Sequence, residues 1–385
     1  MDLTRTAMRG LVLGTVAGCL YVASRRTSSE PPRLIHWERV RGIAHELCQR
    51  DRTAAEVSAE VAASYRDMVR QSEQRIAEYV GESLPLPLDR VEAFDRARWI
   101  DANVESFRQL FEPLEEINRQ AMRGSTIGAY LMGEINQTVL SGQLGLLLGY
   151  LARRVLGQYD TVLLGREPVT TGRLYFVEPN IAAAEHRFGF DPFEFRMWIA
   201  LHETTHAFEF EAHPWLRDYM NGILRSYFDS VGRDLGRFAF GPGGIAGLAQ
   251  RVWQNLPRTQ TALELFMTEE QKQIFQKLQA LMCLLEGYSN HVMDMVGQRL
   301  LTTYTVMKTR FDARHEQRSV ADRLLARLTG LELKIEQYRL GERFVSTLVQ
   351  QIGIQRFNRV YTGPSYLPTL AEIYEPERWL ARTGV

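Results

Sequence analysis

One segment of this chain carries more structural and chemical information than any other. It runs from Asp191 to Phe210 and reads DPFEFRMWIALHETTHAFEF. Asp191 is a favourable N-cap residue, Pro192 suits the first helical turn, and Glu194 completes the spacing of a capping box. Pro214 predicts the end of the helix, because the residue before a proline avoids helical backbone angles. The sequence therefore predicts one buried helix that ends just before this proline.

Inside this predicted helix lies an H-E-x-x-H motif, formed by His202, Glu203 and His206. Residues four apart share one face of a helix, so both imidazoles can bind one metal ion. Glu203 lies one position round the helix, beside that ion, where its carboxylate can act as a base. This arrangement is typical of zinc hydrolases, so Zn²⁺ is the expected cofactor. The alternative is an ordinary buried helix in which the motif arose by chance.

Two histidines do not hold a zinc ion, so a third protein ligand is needed. Glu286 is the strongest candidate, because an acid that follows two leucines on a predicted helix is costly to bury without a partner. The alternative for Glu286 is a salt bridge to an arginine. His291 lies about 140° round the same helix, so it is not expected to bind the same ion. It is expected either to contact substrate or a ligand, or to be a satisfied core histidine, whereas Asp294 could orient a ligand imidazole.

Hydrolysis of a carbonyl compound also needs a donor that stabilises the oxyanion. Four residues near the predicted ligands carry suitable groups: His213, Tyr219, Tyr288 and His291. Their positions in the sequence do not distinguish among them, and His213, Tyr288 and His291 could instead support a metal ligand from behind.

The overall composition excludes some classes of function. The 385 residues contain 46 basic and 46 acidic side chains, so the net charge is close to zero. No nucleic-acid partner is expected, because the chain lacks a strong basic field. The three cysteines, Cys19, Cys48 and Cys283, form neither a disulfide framework nor a C-x-x-C metal site. Residues 34–385 are predicted to form one globular domain.

Residues 1–33 differ from the rest and are predicted to be an anchor followed by a linker. The apolar run Leu11–Ser24 is flanked by arginines, and residues 8–24 are expected to associate with a membrane. Three alternatives remain open: a cleaved signal peptide, a lipoprotein signal at Cys19, or a disordered soluble tail. The predicted location is therefore membrane-associated, and otherwise cytoplasmic.

Most of the remaining sequence has helical periodicity, including Asp89–Phe111. The apolar run Leu140–Leu156 predicts a buried core helix rather than a membrane span, because its apolar centre is too short. Strands are predicted at Thr161–Leu164 and Arg173–Val177 as a hairpin just before the H-E-x-x-H helix. The predicted fold is mainly α, with this small β-hairpin next to that helix. The hairpin could hold an extended peptide by backbone pairing, or merely cover the core.

Several segments along the chain match a known family pattern. They are Gly142–Asp160, Glu178–Ile181, Trp198–His206, Pro214–Asp218, Glu286–Gly287, Val292–Asp294 and Gly341–Leu370. On these segments the chain resembles the actinobacterial and chloroflexal zincin-like proteins, described as zinc-dependent metalloproteases or hydrolases and often associated with deazaflavin-cofactor biosynthesis. The resemblance spans most of the chain after Leu34. It implies a mainly helical zincin-like fold, with zinc on His202, His206 and Glu286 and with Glu203 as the base. The hydrophobic N-terminus departs from the family pattern.

Together, the motif and the resemblance predict a zinc-dependent hydrolase, and specifically a metallopeptidase acting on a peptide or a small amide. One alternative is a zinc-binding scaffold protein without turnover, against which the intact Glu203 argues. The other is a zinc hydrolase of a non-peptide amide or ester.

Overall fold

A computed structural model of the protein describes residues 33–49, 57–122, 127–160, 172–240, 267–316 and 331–385. Of these residues 79% are helical, and the strands among them form one small three-stranded sheet. The predicted mainly α fold is confirmed. The predicted anchor, residues 8–24, lies outside the described residues. Within the described ranges, no helix combines the length and the apolar character needed to cross a bilayer.

The elements follow one another in chain order. The helices are α1 (Trp37–Gln49), α2 (Ala59–Val80), α3 (Arg96–Met122), α4 (Ile127–Ala152), α5 (Glu178–Phe188), α6 (Pro192–Glu211), α7 (Trp215–Phe240), α8 (Glu269–Leu300), α9 (Tyr304–Glu316), α10 (Leu331–Ile352), α11 (Ile354–Phe357), α12 (Leu370–Tyr374) and α13 (Pro376–Thr383). The strands are β1 (Val91–Phe94), β2 (Gly157–Asp160) and β3 (Arg173–Val177), and two 3₁₀ turns occupy Asn358–Tyr361 and Pro364–Tyr366.

Helix α6 begins and ends close to its predicted bounds. The Asp191 side chain accepts a hydrogen bond from the Glu194 backbone N–H at 2.9 Å, as expected of an N-cap. The predicted capping box is only half formed, because the Glu194 carboxylate instead accepts hydrogen bonds from the backbone N–H groups of Thr302 and Thr303, at 3.0 and 2.7 Å. A long-range contact thus replaces the local one and fastens the start of α6 to the α8–α9 connection.

The sheet differs from the predicted hairpin. Its strand order is β1-β3-β2, with β1 parallel and β2 antiparallel to β3. The predicted strand Thr161–Leu164 lies outside the described residues, and β3 pairs instead with the four residues Gly157–Asp160 just before it. The helical interpretation of Asp89–Phe111 is wrong at its start. Residues 91–94 form β1, because their apolar side chains are buried when the strand lies beside β3.

The sheet lies between two hydrophobic cores. Along β3, Leu174 and Phe176 belong to a large core, and Tyr175 and Val177 belong to a smaller one, as the alternation of side chains on a strand requires. The large core surrounds α6, which packs against α2, α8 and β2. The smaller core contains residues of α1, α3 and α4. The H-E-x-x-H helix is therefore central to the larger core and adjacent to the edge of the sheet.

Helix α8 is positioned by a close crossing with α10. A Cβ added at Gly287 would overlap the backbone of Gly341, and one added at Gly341 would overlap the Cys283 carbonyl. Only glycine permits this approach of two backbones. The crossing lies immediately beside Glu286, so it sets the distance of that residue from α6.

Candidate metal centre

Helices α6 and α8 bring together the three residues predicted as metal ligands. The Nε2 atom of His202 lies 3.7 Å from Oε2 of Glu286, and the Nε2 atom of His206 lies 3.6 Å from the same oxygen. One ligand atom from each of the three side chains falls within 4.8 Å of the others. The two histidines come from consecutive turns of α6, and Glu286 faces them across the helix interface.

The donor set fits a zinc ion. Zinc binds nitrogen and oxygen ligands at about 2.0–2.2 Å, so two ligands of a tetrahedral ion are roughly 3.4 Å apart. The Glu286 oxygen lies close to that separation from both imidazole nitrogens. Two imidazoles and one carboxylate are also a typical catalytic set, because three protein ligands leave a fourth position for water or substrate. The three side chains are 13–19% exposed, so the centre is shielded but reachable.

A carboxylate behind His206 fixes the orientation of that ring. Glu209 is buried, and its Oε2 accepts a hydrogen bond from Nδ1 of His206 at 2.8 Å. The Ser289 hydroxyl donates to the same oxygen at 3.2 Å, and the Tyr361 hydroxyl donates to Oε1 at 2.7 Å. With the proton held on Nδ1, the Nε2 lone pair of His206 points toward Glu286 and can bind a metal.

The electrostatics of the two histidines differ. Burial and the neighbouring His206 lower the pKa of His202 to about 4, so His202 is neutral, as a ligand must be. Burial alone would lower the pKa of His206, but the contacts with Glu209 and Glu286 outweigh it and raise that pKa well above the usual value. The two carboxylates thus favour a proton on this imidazole, and the same negative charge would favour a metal cation that takes the place of the Nε2 proton.

Glu203 lies on the same helix and is 7% exposed. Its side chain packs against Gly157, the first residue of the edge strand β2. The structure thus places the predicted base against the sheet, on the helix that carries His202 and His206.

Two other predicted residues, His291 and Asp294, belong to a separate cluster. His291 Nε2 lies 2.8 Å from the Tyr79 hydroxyl, and its Nδ1 lies 3.1 Å from the Ser346 hydroxyl. The Asp294 carboxylate forms an ion pair with Lys308. The carboxylate beside a ligand imidazole is therefore Glu209 rather than Asp294, and His291 is held as a core histidine.

His213 and Tyr288 lie behind the centre and meet at Tyr361. The His213 ring stacks on Tyr361 with centroids 4.7 Å apart, and Tyr288 approaches the same ring edge-on at 5.2 Å. The Tyr288 hydroxyl donates to Asn358 at 2.9 Å, and His213 Nε2 lies 3.5 Å from a Glu82 carboxylate oxygen. Both residues thus support Tyr361, which in turn hydrogen-bonds Glu209.

Sequence reasoning missed Glu209 and Tyr361. Glu209 had a recognisable pattern, since an acid three residues after His206 lies on the same helix face and can reach the back of that imidazole. No sequence pattern pointed to Tyr361, because it is 152 residues from Glu209 in the chain.

Two comparisons with known proteins gave a match. The family model described as "Zincin-like metallopeptidase" matches residues 35–380. A solved structure from Chloroflexus aurantiacus, described as a candidate hydrolase with a novel fold, is similar with a TM-score of 0.67 and 39% sequence identity. That similarity covers 91% of this chain and 99% of the other. Among curated proteins, no match is found.

Proposed function

Because the chain belongs to the zincin-like metallopeptidase family, we propose that it is a zinc-dependent hydrolase that cleaves peptide bonds. In this proposal, His202, His206 and Glu286 hold the zinc ion and Glu203 is the general base. The observation that carries the proposal is the convergence of two imidazole nitrogens and one carboxylate oxygen within 4.8 Å.

The chemistry divides between the metal and the chain. His202, His206 and Glu286 would hold the zinc ion, and the bound ion would supply a lowered pKa of its water, toward about 7, and polarisation of the scissile carbonyl. Glu203 accepts the proton that the attacking water loses and returns it to the leaving amine. Glu209 keeps the His206 ring in the orientation in which Nε2 can serve as ligand. The burial of Glu203 limits competition from bulk water for its carboxylate.

A peptide substrate is supported by the edge strand β2. Among the described residues, β2 pairs with β3 on one side, and it packs against α6. The backbone groups of an edge strand can pair with an extended peptide, which specifically favours peptides over compact amides. Such pairing would lay the substrate backbone alongside the helix that carries His202, Glu203 and His206.

The test is a substrate profile of purified zinc-loaded protein, with peptide libraries compared against small amides and esters. We expect cleavage of peptides, and we expect the Glu203→Gln variant to retain zinc while losing about 10²–10⁴-fold in rate. Equal rates for the wild type and this variant would rule out Glu203 as the base. Cleavage of small esters or amides alone would exclude the peptidase assignment, and zinc binding without any cleavage would favour a scaffold protein.

A further inference from the structure

The first residue of β2 makes an unusually close contact with the proposed base. A Cβ built at Gly157 would lie 2.6 Å from Cγ of Glu203 and 2.9 Å from both Cδ and Oε1. Side-chain carbons do not approach this closely, so any side chain at position 157 would displace Glu203 or the strand. The Glu203 side chain therefore packs directly on the α-carbon of the strand.

Backbone conformation does not explain the glycine. The positive φ angles of the described glycines occur at Gly81, Gly189, Gly353 and Gly384, so Gly157 is not one of them. Gly157 pairs in ordinary antiparallel register with Phe176. An alanine would satisfy the backbone there and would normally strengthen a strand, so the need for glycine comes from the contact with Glu203.

Strand β2 is held from both sides and cannot easily withdraw. On one side, Gln158 accepts a hydrogen bond from Trp99 Nε1 at 2.9 Å and donates to Asn103 at 3.2 Å. On the other side, the Tyr159 hydroxyl donates to the buried carboxylate of Glu211 at the end of α6. Since both flanking contacts hold the strand, a Cβ at position 157 would press on the Glu203 side chain.

Displacement of that side chain would move its carboxylate. The clash falls on Cγ as well as on the terminal atoms, so relief requires rotation about the inner torsions of Glu203. Such a rotation changes the position of the carboxylate relative to His202 and His206, which are fixed on the same helix.

We propose that Gly157 is a positioning residue that sets the location of the Glu203 carboxylate at the metal centre. The proposal rests on the assignment of Glu203 as base made above. It adds that the position of the Glu203 carboxylate depends on the edge strand. A peptide paired with that strand and the proton acceptor would therefore be held at a fixed distance from each other.

A double-mutant cycle tests the contact without any substrate. We expect Gly157→Ala to lower the midpoint of thermal unfolding by about 2–6 °C, because of overpacking. In the Glu203→Ala background the same change should cost nothing or raise the midpoint, because the new methyl group occupies vacated space. Gly145→Ala is the matched control, since its Cβ would overlap Ile43 on α1, away from β2, and its effect should be the same in both backgrounds.

The second measurement separates positioning from mere stability. On a peptide that the wild type cleaves, Gly157→Ala should lower kcat about 10–100-fold, with KM within about twofold and zinc content unchanged. It should cause no further loss in the Glu203→Gln background. Gly142→Ala, where an added Cβ meets nothing within 4 Å, should change neither kcat nor KM.

Equal effects of Gly157→Ala with and without the Glu203 side chain would overturn the inference and leave the hydrolase assignment intact. The same holds if coupling in stability is found but kcat and KM stay at wild-type values. A protein without any hydrolysis would instead refute the proposed function, and the stability cycle would still report on the contact.

Discussion

Helix α8 contributes to two buried polar clusters, and the contrast between them shows what distinguishes a metal centre from a structural network. The first is the candidate metal centre of His202, His206 and Glu286. The second, the His291 cluster, consists of Tyr79, His291, Asp294, Lys308 and Ser346. Both contain histidine and carboxylate, and both are largely excluded from solvent.

In the His291 cluster, both ring nitrogens and one oxygen of the carboxylate have partners within the protein. Each ring nitrogen of His291 has a hydroxyl partner, and Asp294 has a lysine. In the metal centre, two ring nitrogens and a carboxylate oxygen converge instead, and all three are atoms with lone pairs suited to a cation. The proton donors of that region, Ser289 and Tyr361, lie behind Glu209. The convergence of these three atoms, with the donors behind them, therefore distinguishes the candidate metal centre from the His291 cluster.

The largest expected effect separates the two clusters directly. Glu286→Ala should reduce zinc affinity by more than about 100-fold, which exceeds the usual effect of residues that only support a ligand. His291→Ala should leave zinc affinity within a few-fold of wild type, because both of its nitrogens already have protein partners. Elemental analysis and competition with a chromogenic chelator measure both. Loss of zinc in the His291 variant alone would reverse the assignment of the clusters.

A smaller effect on zinc affinity is expected from a change to Glu209, the residue behind His206. Glu209→Gln should weaken zinc binding about 10–100-fold, because the neutral amide holds the Nδ1 proton of His206 less strongly. Glu342→Gln is the matched control, since Glu342 contacts Lys308 in the other cluster and should not change zinc affinity. If both variants bind zinc as the wild type does, Glu209 has no role in orienting the ligand.

The smallest effect concerns pH and the His291 cluster. Burial lowers the pKa of His291 from 6.5 to about 4. As the pH falls from about 6.5 to about 4, the unfolded chain takes up a proton at this residue before the folded protein does, so stability is lost in that window. In the His291→Gln variant, the free energy of unfolding should fall by up to about 3 kcal/mol less over this pH window than in the wild type.

Urea unfolding at pH 7, 6 and 5 in the presence of a chelator measures the free energy of unfolding of the metal-free protein. The exposed His186, changed to glutamine, is the control. Identical pH dependence of the His291→Gln variant and the wild type would show that the buried ring does not contribute to the acid sensitivity.

Local sequence patterns were sufficient for the parts of this protein that depend on short-range physics. The N-cap of Asp191, the bounds of α6 and the spacing of His202 and His206 follow from contacts within a few residues. The choice of Glu286 followed from the cost of burying an acid among leucines. These features are encoded locally because helix hydrogen bonds and helix faces repeat every three to four residues.

Only the tertiary structure decided which distant groups meet. The sequence offered Asp294 as the partner of a ligand imidazole, but packing of α8 against α9 places Asp294 beside Lys308. Residues 91–94 carry no sign of their parallel pairing with β3, and Tyr361 carries no sign of its contact with Glu209. Such contacts depend on the sum of many packing interactions across the chain, so no local pattern specifies them, whereas the spacing of His202 and His206 is fixed by a single helix.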